Sequence, residues 1–376
     1  MTRTKVFAAY LPQYHETEDN NRFWGKGYTD WVAVRKALPQ YEGHIQPKIP
    51  LNENYYDLSD IQAIRYQAQL ARKYGIDGFN IYHYWFKNGK QELEKPAELI
   101  LSNPDIDIEY FFTWDSGSWK RTWSNVPGND WAPNFDQQTP VTTGEAILVE
   151  GGYEDRDAWL RHFRYLLKFF RDKRYLKIDN KPVLFFMDTG SFDELSKMYK
   201  CWDEEARNNG FGGVYLASRS RVMFNKTAFN RSFYYEPEYS AWGKRRAIET
   251  RITKLTGITF KSKCPVRYIY DYDLVWRRIL KREAKRRDNM IPGCFVSYDD
   301  TPRRGKKAMI IQGGTPDKFY QYFKELYSLA CRNDRELLLL TAWNEWGEGA
   351  YLEPDSITKF EYLEAIGRVL REKKRD

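Results

Sequence analysis

Short apolar runs alternate with amphipathic stretches along most of the chain. Residues 6–11, 77–86 and 109–115 are the first three apolar runs, and each has the length and composition of a strand. Between the first two, apolar residues recur at helical spacing across residues 61–71 and stop before Gly75. The pattern therefore predicts strands that alternate with helices from the start of the chain.

The same alternation continues to the C-terminus. Further apolar runs occupy residues 182–188, 213–218, 231–237, 292–300 and 337–340, and helical patterns follow them across residues 192–209, 273–287, 316–331 and 360–370. The four leucines of residues 337–340 are apolar on both faces, as expected of a parallel strand that is covered on both sides. Eight such strands predict an α/β fold, a single (β/α)8 TIM barrel over residues 1–376 with long loops on its active-site face. A doubly wound sheet would need a glycine-rich phosphate turn after its first strand, and Pro12-Gln-Tyr-His15 is not one.

The eighth apolar run opens into a polar and aromatic stretch. Its first residues are Trp343, Asn344, Glu345, Trp346, Gly347 and Glu348. Two carboxylates beside indoles suit a sugar site, because an acid can act on a leaving oxygen while the rings cover pyranose faces. In an extended segment Glu345 and Glu348 would point apart, whereas a turn at Gly347 and Gly349 would bring them together. The alternative is a solvated acidic loop with an aromatic anchor.

Aromatic, acidic and imidazole side chains also follow the other strands. The candidate substrate-binding residues are Tyr10, Tyr14, His83, Tyr84, Trp85, Trp114, Trp119, Tyr235, Glu236 and Asp299, together with Trp343, Asn344 and Trp346 from the eighth strand. The chain has 13 Trp and 28 Tyr residues, and such rings are favoured where one side is apolar and the other is wet. His83 fits a substrate-facing donor and a structural histidine about equally well.

Positive charge is concentrated in one part of the chain. The net charge is +8, and residues 244–307 alone contain 19 Lys and Arg against seven Asp and Glu. We therefore predict a basic insertion around residues 240–290, whose helix at residues 273–287 faces an anionic membrane surface or a lipid-linked glycan. A solvated basic face is the alternative. No nucleic-acid-binding motif accompanies the charge, which argues against a nucleic-acid partner.

Location and cofactors follow from what the sequence lacks. No apolar segment reaches the ~18–20 residues of a membrane span, and the first residues do not resemble a signal peptide. These features predict a cytoplasmic protein, peripheral to the inner face of the membrane if its basic helix binds there. No cluster of His, Asp or Cys has the spacing of metal ligands, so we predict neither a catalytic metal nor a cofactor.

Several motifs carry a resemblance to a known family. They are Tyr10-Leu-Pro-Gln-Tyr-His15, Trp24-Gly-Lys-Gly-Tyr-Thr-Asp-Trp31, Gly43-His-Ile-Gln-Pro47, Tyr82-His-Tyr-Trp-Phe86, Ala342-Trp-Asn-Glu-Trp-Gly-Glu-Gly349 and Tyr351-Leu-Glu-Pro354. The chain resembles the WbsX-type proteins, which are encoded with polysaccharide and lipopolysaccharide biosynthesis genes. Those proteins are in turn similar to glycoside hydrolase family 99, the endo-α-mannosidases and endo-α-mannanases. One departure is the exit of the third strand, which reads Trp114-Asp-Ser-Gly-Ser-Trp119 in place of the family's Trp-Ala-Asn-Glu-Asn-Trp.

The resemblance implies a mechanism for the two glutamates. In family 99 the first Glu of Glu-Trp-x-Glu is the base for the sugar's own 2-hydroxyl, and the second is the acid for the leaving oxygen. These positions match Glu345 and Glu348, and the route passes through a 1,2-anhydro sugar with net retention of configuration. A rival retaining route would use Glu236 or Asp299 as a covalent nucleophile.

Two further function classes remain open at this stage. A glycosyltransferase is suggested by the family's biosynthetic context, and Asp271-Tyr-Asp273 is formally a D-x-D motif for a metal-bound nucleotide sugar. Asp273 is also well placed to cap the helix that follows it. The third class is a barrel that binds an oligosaccharide or polysaccharide without chemistry, which the altered third-strand exit would suit.

Overall fold

The fold is a parallel β-barrel surrounded by helices. A computed structural model describes residues 3–120, 147–187, 192–219, 231–241, 268–285 and 289–372. The barrel strands are β1 Lys5–Tyr10, β2 Gly78–Trp85, β3 Glu109–Trp114, β4 Lys181–Phe186, β5 Tyr215–Arg219, β6 Arg231–Phe233, β7 (Met290–Ile291 and Gly293–Phe295) and β8 Leu337–Thr341. Successive strands pair in parallel, and β8 returns to β1 with Leu338 opposite Val6. The predicted (β/α)8 barrel is confirmed.

The barrel closes through β7, which Pro292 divides into two parts. Met290–Ile291 pairs with β6, and Gly293–Phe295 pairs with β8. Proline has no N–H to donate to a strand ladder, so it is tolerated where pairing changes sides. Its carbonyl still accepts a hydrogen bond from the backbone N–H of Leu339 at 3.0 Å.

Several of the helices around the barrel begin at polar caps. In chain order they are α1 Ile61–Lys73, α2 Lys95–Ser102, α3 Arg156–Phe170, α4 Phe192–Asn208, α5 Tyr272–Glu283, α6 Pro316–Arg332 and α7 Glu361–Glu372. Asp60, Asp155 and Thr315 each accept a hydrogen bond from a backbone N–H in the first turn of the helix that follows. None of the described helices combines the length and the apolar composition that crossing a membrane requires.

Helix α5 differs in detail from the predicted helix at residues 273–287. Its N-cap is Asp271, whose side chain accepts the N–H of Leu274, so the expectation that Asp273 caps the helix was wrong. Asp273 instead pairs with Lys318 of α6 at 2.8 Å. Both acids of the D-x-D tripeptide are thus engaged in holding α5.

The basic face of α5 is narrower than its sequence indicates. Arg278 donates to the backbone carbonyl of Ser240 at 2.8 Å, and Arg282 pairs with the buried Glu236. The described exposed cations are Arg277 and Lys281 on this helix and Lys285 just beyond its end. Residues 242–267 and 286–288 of the predicted basic insertion lie outside the described residues, and contact with an anionic membrane stays a prediction.

The loops that follow β1, β7 and β8 cover one end of the barrel. The first carries the short helices Glu18–Trp24 and Asp30–Lys36, and the loop after β7 carries Thr301–Arg304. Beyond β8, Trp346–Glu348 forms a single 3-10 turn. These three loops bring together the side chains of the candidate site.

Candidate active site

A cavity of about 380 Å³ lies at the C-terminal ends of the strands, within the range of about 300–1,000 Å³ that is usual for ligand pockets. Each of the eight strands contributes a lining residue at or just beyond its end. These residues are Leu11, Tyr84, Asp115, Met187, Arg219, Tyr235, Tyr298 and Glu345. The active-site face that the sequence predicted therefore encloses a space of the size that a ligand needs.

The residues predicted from the sequence divide into two groups. Tyr84, Trp119, Tyr235, Glu345 and Glu348 line the cavity. Tyr10, Tyr14, His83, Trp85, Trp114, Glu236, Asp299, Trp343, Asn344 and Trp346 do not line it, and each is nine-tenths or more buried. The second group forms the packed support around and beneath the cavity.

The alternation of side chains along β2 separates the two groups there. Successive residues of a strand point to opposite faces, and Tyr82 and Tyr84 face the cavity. His83 lies outside it, with its Nε2 2.8 Å from Nε2 of His162 on α3. Burial lowers the pKa of His83 to about 3, so the ring is neutral at pH 7. The structure places His83 as a buried histidine between barrel and helix.

An arginine that the sequence analysis did not select lies at the centre of the site. Arg303 donates through Nη2 to Glu345 Oε2 and through Nη1 to Glu348 Oε1, both at 3.0 Å. It also holds Asp30 with both carboxylate oxygens, through Nε at 3.3 Å and Nη2 at 3.1 Å. Three carboxylates from the loops after β1 and β8 therefore share one guanidinium from the loop after β7.

Gly347 makes this arrangement possible. A Cβ at this position would lie 2.4 Å from Asp30 Oδ2 and 2.5 Å from Arg303 Nε. Both distances are far shorter than a van der Waals contact, and the side chains of both neighbours are at most 13% exposed. The glycine between Trp346 and Glu348 is therefore needed for Asp30 and Arg303 to approach the turn.

The two glutamates differ in their surroundings. Burial raises the pKa of Glu345 to about 8, and the nearby charges of Glu348 and Asp30 add to the rise while Arg303 opposes it. One oxygen of Glu348, Oε2, is buried and accepts no hydrogen bond from any described residue. The site thus contains one carboxyl group that titrates near neutral pH and one carboxylate oxygen to which no described residue donates.

Asn344, Trp346 and Tyr14 hold the turn in place. The Asn344 side chain accepts the N–H of Leu11 at 2.7 Å and donates to its carbonyl at 3.0 Å. The Tyr14 hydroxyl accepts the N–H of Trp346 at 3.1 Å and donates to the carbonyl of Asn344 at 2.6 Å. The start of the polar stretch is therefore bonded directly to the segment after β1.

Glu353, which follows in the same loop, supports the turn from behind. Its carboxylate accepts hydrogen bonds from the Trp346 indole at 2.7 Å, the Tyr56 hydroxyl at 2.8 Å and the Gln67 amide at 2.7 Å. Burial raises the pKa of Glu353 to about 7, although all three donors act against the rise. Three donors hold this carboxyl group in place, and it in turn fixes the Trp346 indole.

Glu236 and Asp299 are both engaged away from the cavity lining. Glu236 is fully buried, accepts hydrogen bonds from the Ser240 hydroxyl and backbone, and pairs with Arg282. Asp299 accepts from His44 Nε2 and from the Gln46 amide, each at 2.7 Å. These contacts do not favour either residue as the nucleophile of a covalent route.

Aromatic rings form part of the cavity wall. Trp24 and Tyr28 stack with centroids 5.3 Å apart, and Trp119 meets Trp24 edge-on at 6.3 Å. Trp119 also contacts Tyr84 at 5.4 Å. Through Asp115 and Trp119, the altered third-strand exit still supplies a carboxylate and an indole to the lining.

Sequence reasoning missed Asp30, Tyr82 and Arg303, which all line the cavity. A signal was available for Tyr82, because strand alternation puts it on the same face as Tyr84. Asp30 lies within the quoted motif from Trp24 to Trp31, although nothing in its spacing indicates a partner. Arg303 is one of the 19 Lys and Arg residues between positions 244 and 307. Its sequence context does not distinguish it from the other 18.

Comparison with known proteins finds one matching family model and two curated relatives. A family model described as Glycosyltransferase WbsX matches residues 6–366. The uncharacterized protein WxcX of Xanthomonas campestris pv. campestris strain B100 is 28% identical over 374 residues, which are 97% of this chain and 49% of WxcX. The chain therefore spans about half the length of the curated relatives it matches.

Solved structures agree on the fold. The GH99 endo-alpha-mannosidase from Bacteroides thetaiotaomicron superposes with a TM-score of 0.56 at 13% identity, over 100% of this chain and 99% of that one. A glycoside hydrolase-like protein gives the same score and identity over 98% and 94% of the two chains. At this identity the likeness establishes the barrel and no more. The family model, by contrast, spans nearly the whole sequence, and the chain belongs to the WbsX glycosyltransferase family.

Proposed function

We propose that this protein is a glycan-active enzyme of polysaccharide metabolism, specifically a retaining, endo-α-mannosidase-like glycoside hydrolase. The observation that carries the proposal is the pair Glu345 and Glu348, held on adjacent nitrogens of one guanidinium at the edge of an aromatic-lined cavity. A sugar ring presents hydroxyls to carboxylates and C–H faces to indoles. The family's polysaccharide context and the endo-alpha-mannosidase fold of a structural neighbour support the same substrate class.

The chemistry assigns one proton to each glutamate. Glu345 removes the proton of the sugar 2-hydroxyl, and O2 attacks C1 while the bond from C1 to the leaving oxygen breaks. Glu348 gives its proton to that oxygen. Water then opens the 1,2-anhydro sugar at C1, giving its proton to Glu348 while Glu345 returns a proton to O2. Two inversions at C1 give net retention, and the protein supplies no nucleophile.

A second candidate is transfer of the sugar to a glycan instead of to water. The family's description as glycosyltransferases favours it, as do Arg219, Arg304 and Lys307 in the cavity lining, whose charges suit a phosphate-bearing donor. Against a metal-dependent nucleotide-sugar site, Asp271 and Asp273 are occupied by a helix cap and an ion pair. The same glutamates would serve a transglycosylase, because only the acceptor differs.

The test is a panel of α-linked and β-linked aryl glycosides, α-mannooligosaccharides and nucleotide sugars, with product anomers followed by proton NMR. We expect cleavage of an α-linked glycan with the α-anomer formed first. We also expect 2-deoxy-2-fluoro glycosides to be neither turned over nor attached to the protein, because they lack the attacking hydroxyl. First formation of the β-anomer, or a peptide carrying the fluorosugar, would refute the route. Transfer of the sugar from a nucleotide sugar or a mannooligosaccharide to a second glycan, in place of its release into water, would establish the second candidate.

The activity should rise with pH through the neutral range. Glu345 works as a base only when ionised, and its pKa is raised by burial to about 8, so the fraction of active enzyme increases as pH rises toward that value. We expect kcat/KM to increase by about tenfold per pH unit on this acidic limb, and to fall at higher pH because the acid of the pair must keep its proton. A profile that falls between pH 6 and 8 would mean that Glu345 acts as the acid and that the two roles are exchanged.

A further inference from the structure

We propose that Arg303 is a positioning residue for the carboxylate pair of Glu345 and Glu348. Its guanidinium holds one oxygen of each glutamate and leaves the other oxygen of each for the ligand. Asp30 anchors the guanidinium, and the missing side chain of Gly347 gives it the space to lie there. This inference rests on the proposed function. Arg303 itself is not assigned a contact with the reacting atoms.

The anchoring of Arg303 by Asp30 is the first step of the argument. Asp30 uses both oxygens on Nε and Nη2, which is a two-point contact with a planar group. That contact orients the plane of the guanidinium, so Nη1 and Nη2 point in defined directions. Asp30 and Arg303 have side chains that are only 2% and 13% exposed, so water competes little for these bonds.

The orientation of the guanidinium then decides which oxygens remain available. Nη2 takes Glu345 Oε2 and Nη1 takes Glu348 Oε1. No described residue donates to Glu348 Oε2, although that atom is buried. A buried acceptor without a donor is unfavourable until something supplies one. A glycosidic oxygen that has received the transferred proton, or a sugar hydroxyl, would donate the missing hydrogen bond to Glu348 Oε2.

The charge of Arg303 is the second contribution. Three carboxylates surround one cation, and burial already raises the pKa of Glu345 to about 8 despite the opposing effect of Arg303. An opposite charge at hydrogen-bond distance typically lowers a carboxyl pKa by about 1–3 units. Without Arg303, Glu345 would therefore become ionised only at still higher pH, and less of the enzyme would carry the base at pH 7.

Two variants separate geometry from charge. We expect Arg303→Met to lower kcat at pH 7 by ~10²-fold and to move the acidic limb of the pH profile upward by about 1–3 units. Arg303→Lys keeps the charge but lacks the planar, forked guanidinium. The acidic limb of its pH profile should therefore stay within about half a pH unit of the parent's, while its kcat should be about tenfold lower than the parent's. KM should change little in both. The matched control is Arg368→Met on the exposed side of α7, where Arg368 pairs with Glu372, and it should keep the parent's profile.

A measurement without substrate keeps the inference separate from the proposed reaction. In a double-mutant cycle of Arg303→Met and Glu345→Gln, we expect the unfolding equilibrium to show a coupling above about tenfold at pH 9, where Glu345 is ionised. At pH 6, where it is protonated, the coupling should be several-fold smaller. If Arg303→Met does not fold, Arg303→Gln, which also removes the charge, takes its place in the cycle.

The outcomes distinguish failure of the positioning role of Arg303 from failure of the proposed reaction. Coupling that grows with pH in a protein that cleaves no glycan supports the positioning role and refutes the proposed reaction. Equal coupling at pH 6 and pH 9 overturns the positioning role whatever the activity. An unmoved acidic limb in Arg303→Met, with kcat reduced only by its smaller folded fraction, also overturns it, because a merely structural arginine would have that effect.

Discussion

Turnover should fall by ~10²–10⁴-fold in both Glu345→Gln and Glu348→Gln, because each change removes one of the two groups that transfer a proton. Glutamine keeps the size and hydrogen-bonding shape of glutamate but carries no charge and no transferable proton. The variants should remain folded, since Arg303 keeps Asp30 as a partner in both. The measurement is kcat on the best substrate of the panel, with circular dichroism to verify the fold.

The matched control for this prediction is Glu325→Gln. Glu325 is exposed on α6 and lies outside the cavity lining, so this variant should keep the parent's rate. Parent rates in Glu345→Gln and Glu348→Gln would remove both residues from the mechanism. Loss in only one of them would leave a single proton-transfer residue and would favour a different second group.

Gly347→Ala should lose both stability and activity. The added Cβ would lie 2.4 Å from Asp30 Oδ2 and 2.5 Å from Arg303 Nε, so the turn or the ion cluster must shift. Overpacking costs about 1–3 kcal/mol, and separating a buried ion pair from one partner costs about 3–5 kcal/mol. We expect a loss of several kcal/mol in the free energy of unfolding, measured with urea, and a kcat reduced by at least ~10²-fold.

A second glycine variant separates these two effects. Gly210 ends α4 with a φ of +87°, and a Cβ at this position would have no heavy atom within 4 Å. Gly210→Ala should therefore cost about 1–2 kcal/mol through backbone strain alone and should leave kcat unchanged. A Gly347→Ala variant that behaves in the same way would show that the contacts around Arg303 tolerate the extra carbon.

The sequence predicted the barrel because its strands carry a strong local signal. Leu337–Leu340 is apolar on both faces, as a parallel strand covered on both sides should be, and all residues of the strand Leu337–Thr341 are buried. Strand β7 was also located, although its division at Pro292 depends on which neighbour each half pairs with. Which strands pair is decided when the barrel closes, and the residues of a single strand do not indicate its neighbours.

The site was predictable only in part. Glu345 and Glu348 stand out because they follow a buried strand, and residues in that position meet at one face of a barrel. His83 and Trp85 were chosen with Tyr84 although consecutive strand residues cannot share a face. Selecting every polar or aromatic residue at a strand end therefore included side chains that pack outward against the helices.

Arg303 and Asp30 could not have been paired from the sequence. They are 273 positions apart, on two loops whose approach depends on the closure of the barrel and on the missing side chain of Gly347. A loop arginine has no periodicity that marks it as buried. Only the folded arrangement distinguishes it from the exposed cations of the same segment.

The shared contacts of Asp30, Arg303 and Gly347 have a consequence for how such a site can diverge. A larger residue at position 347 is incompatible with Arg303 in its present place. Loss of Arg303 leaves the acidic groups of Asp30, Glu345 and Glu348 without the cation that they share. Neither change is neutral by itself. The loops after β1, β7 and β8 therefore have to change together. A loop taken from a homologous barrel should be tolerated only when the other two loops come from the same protein.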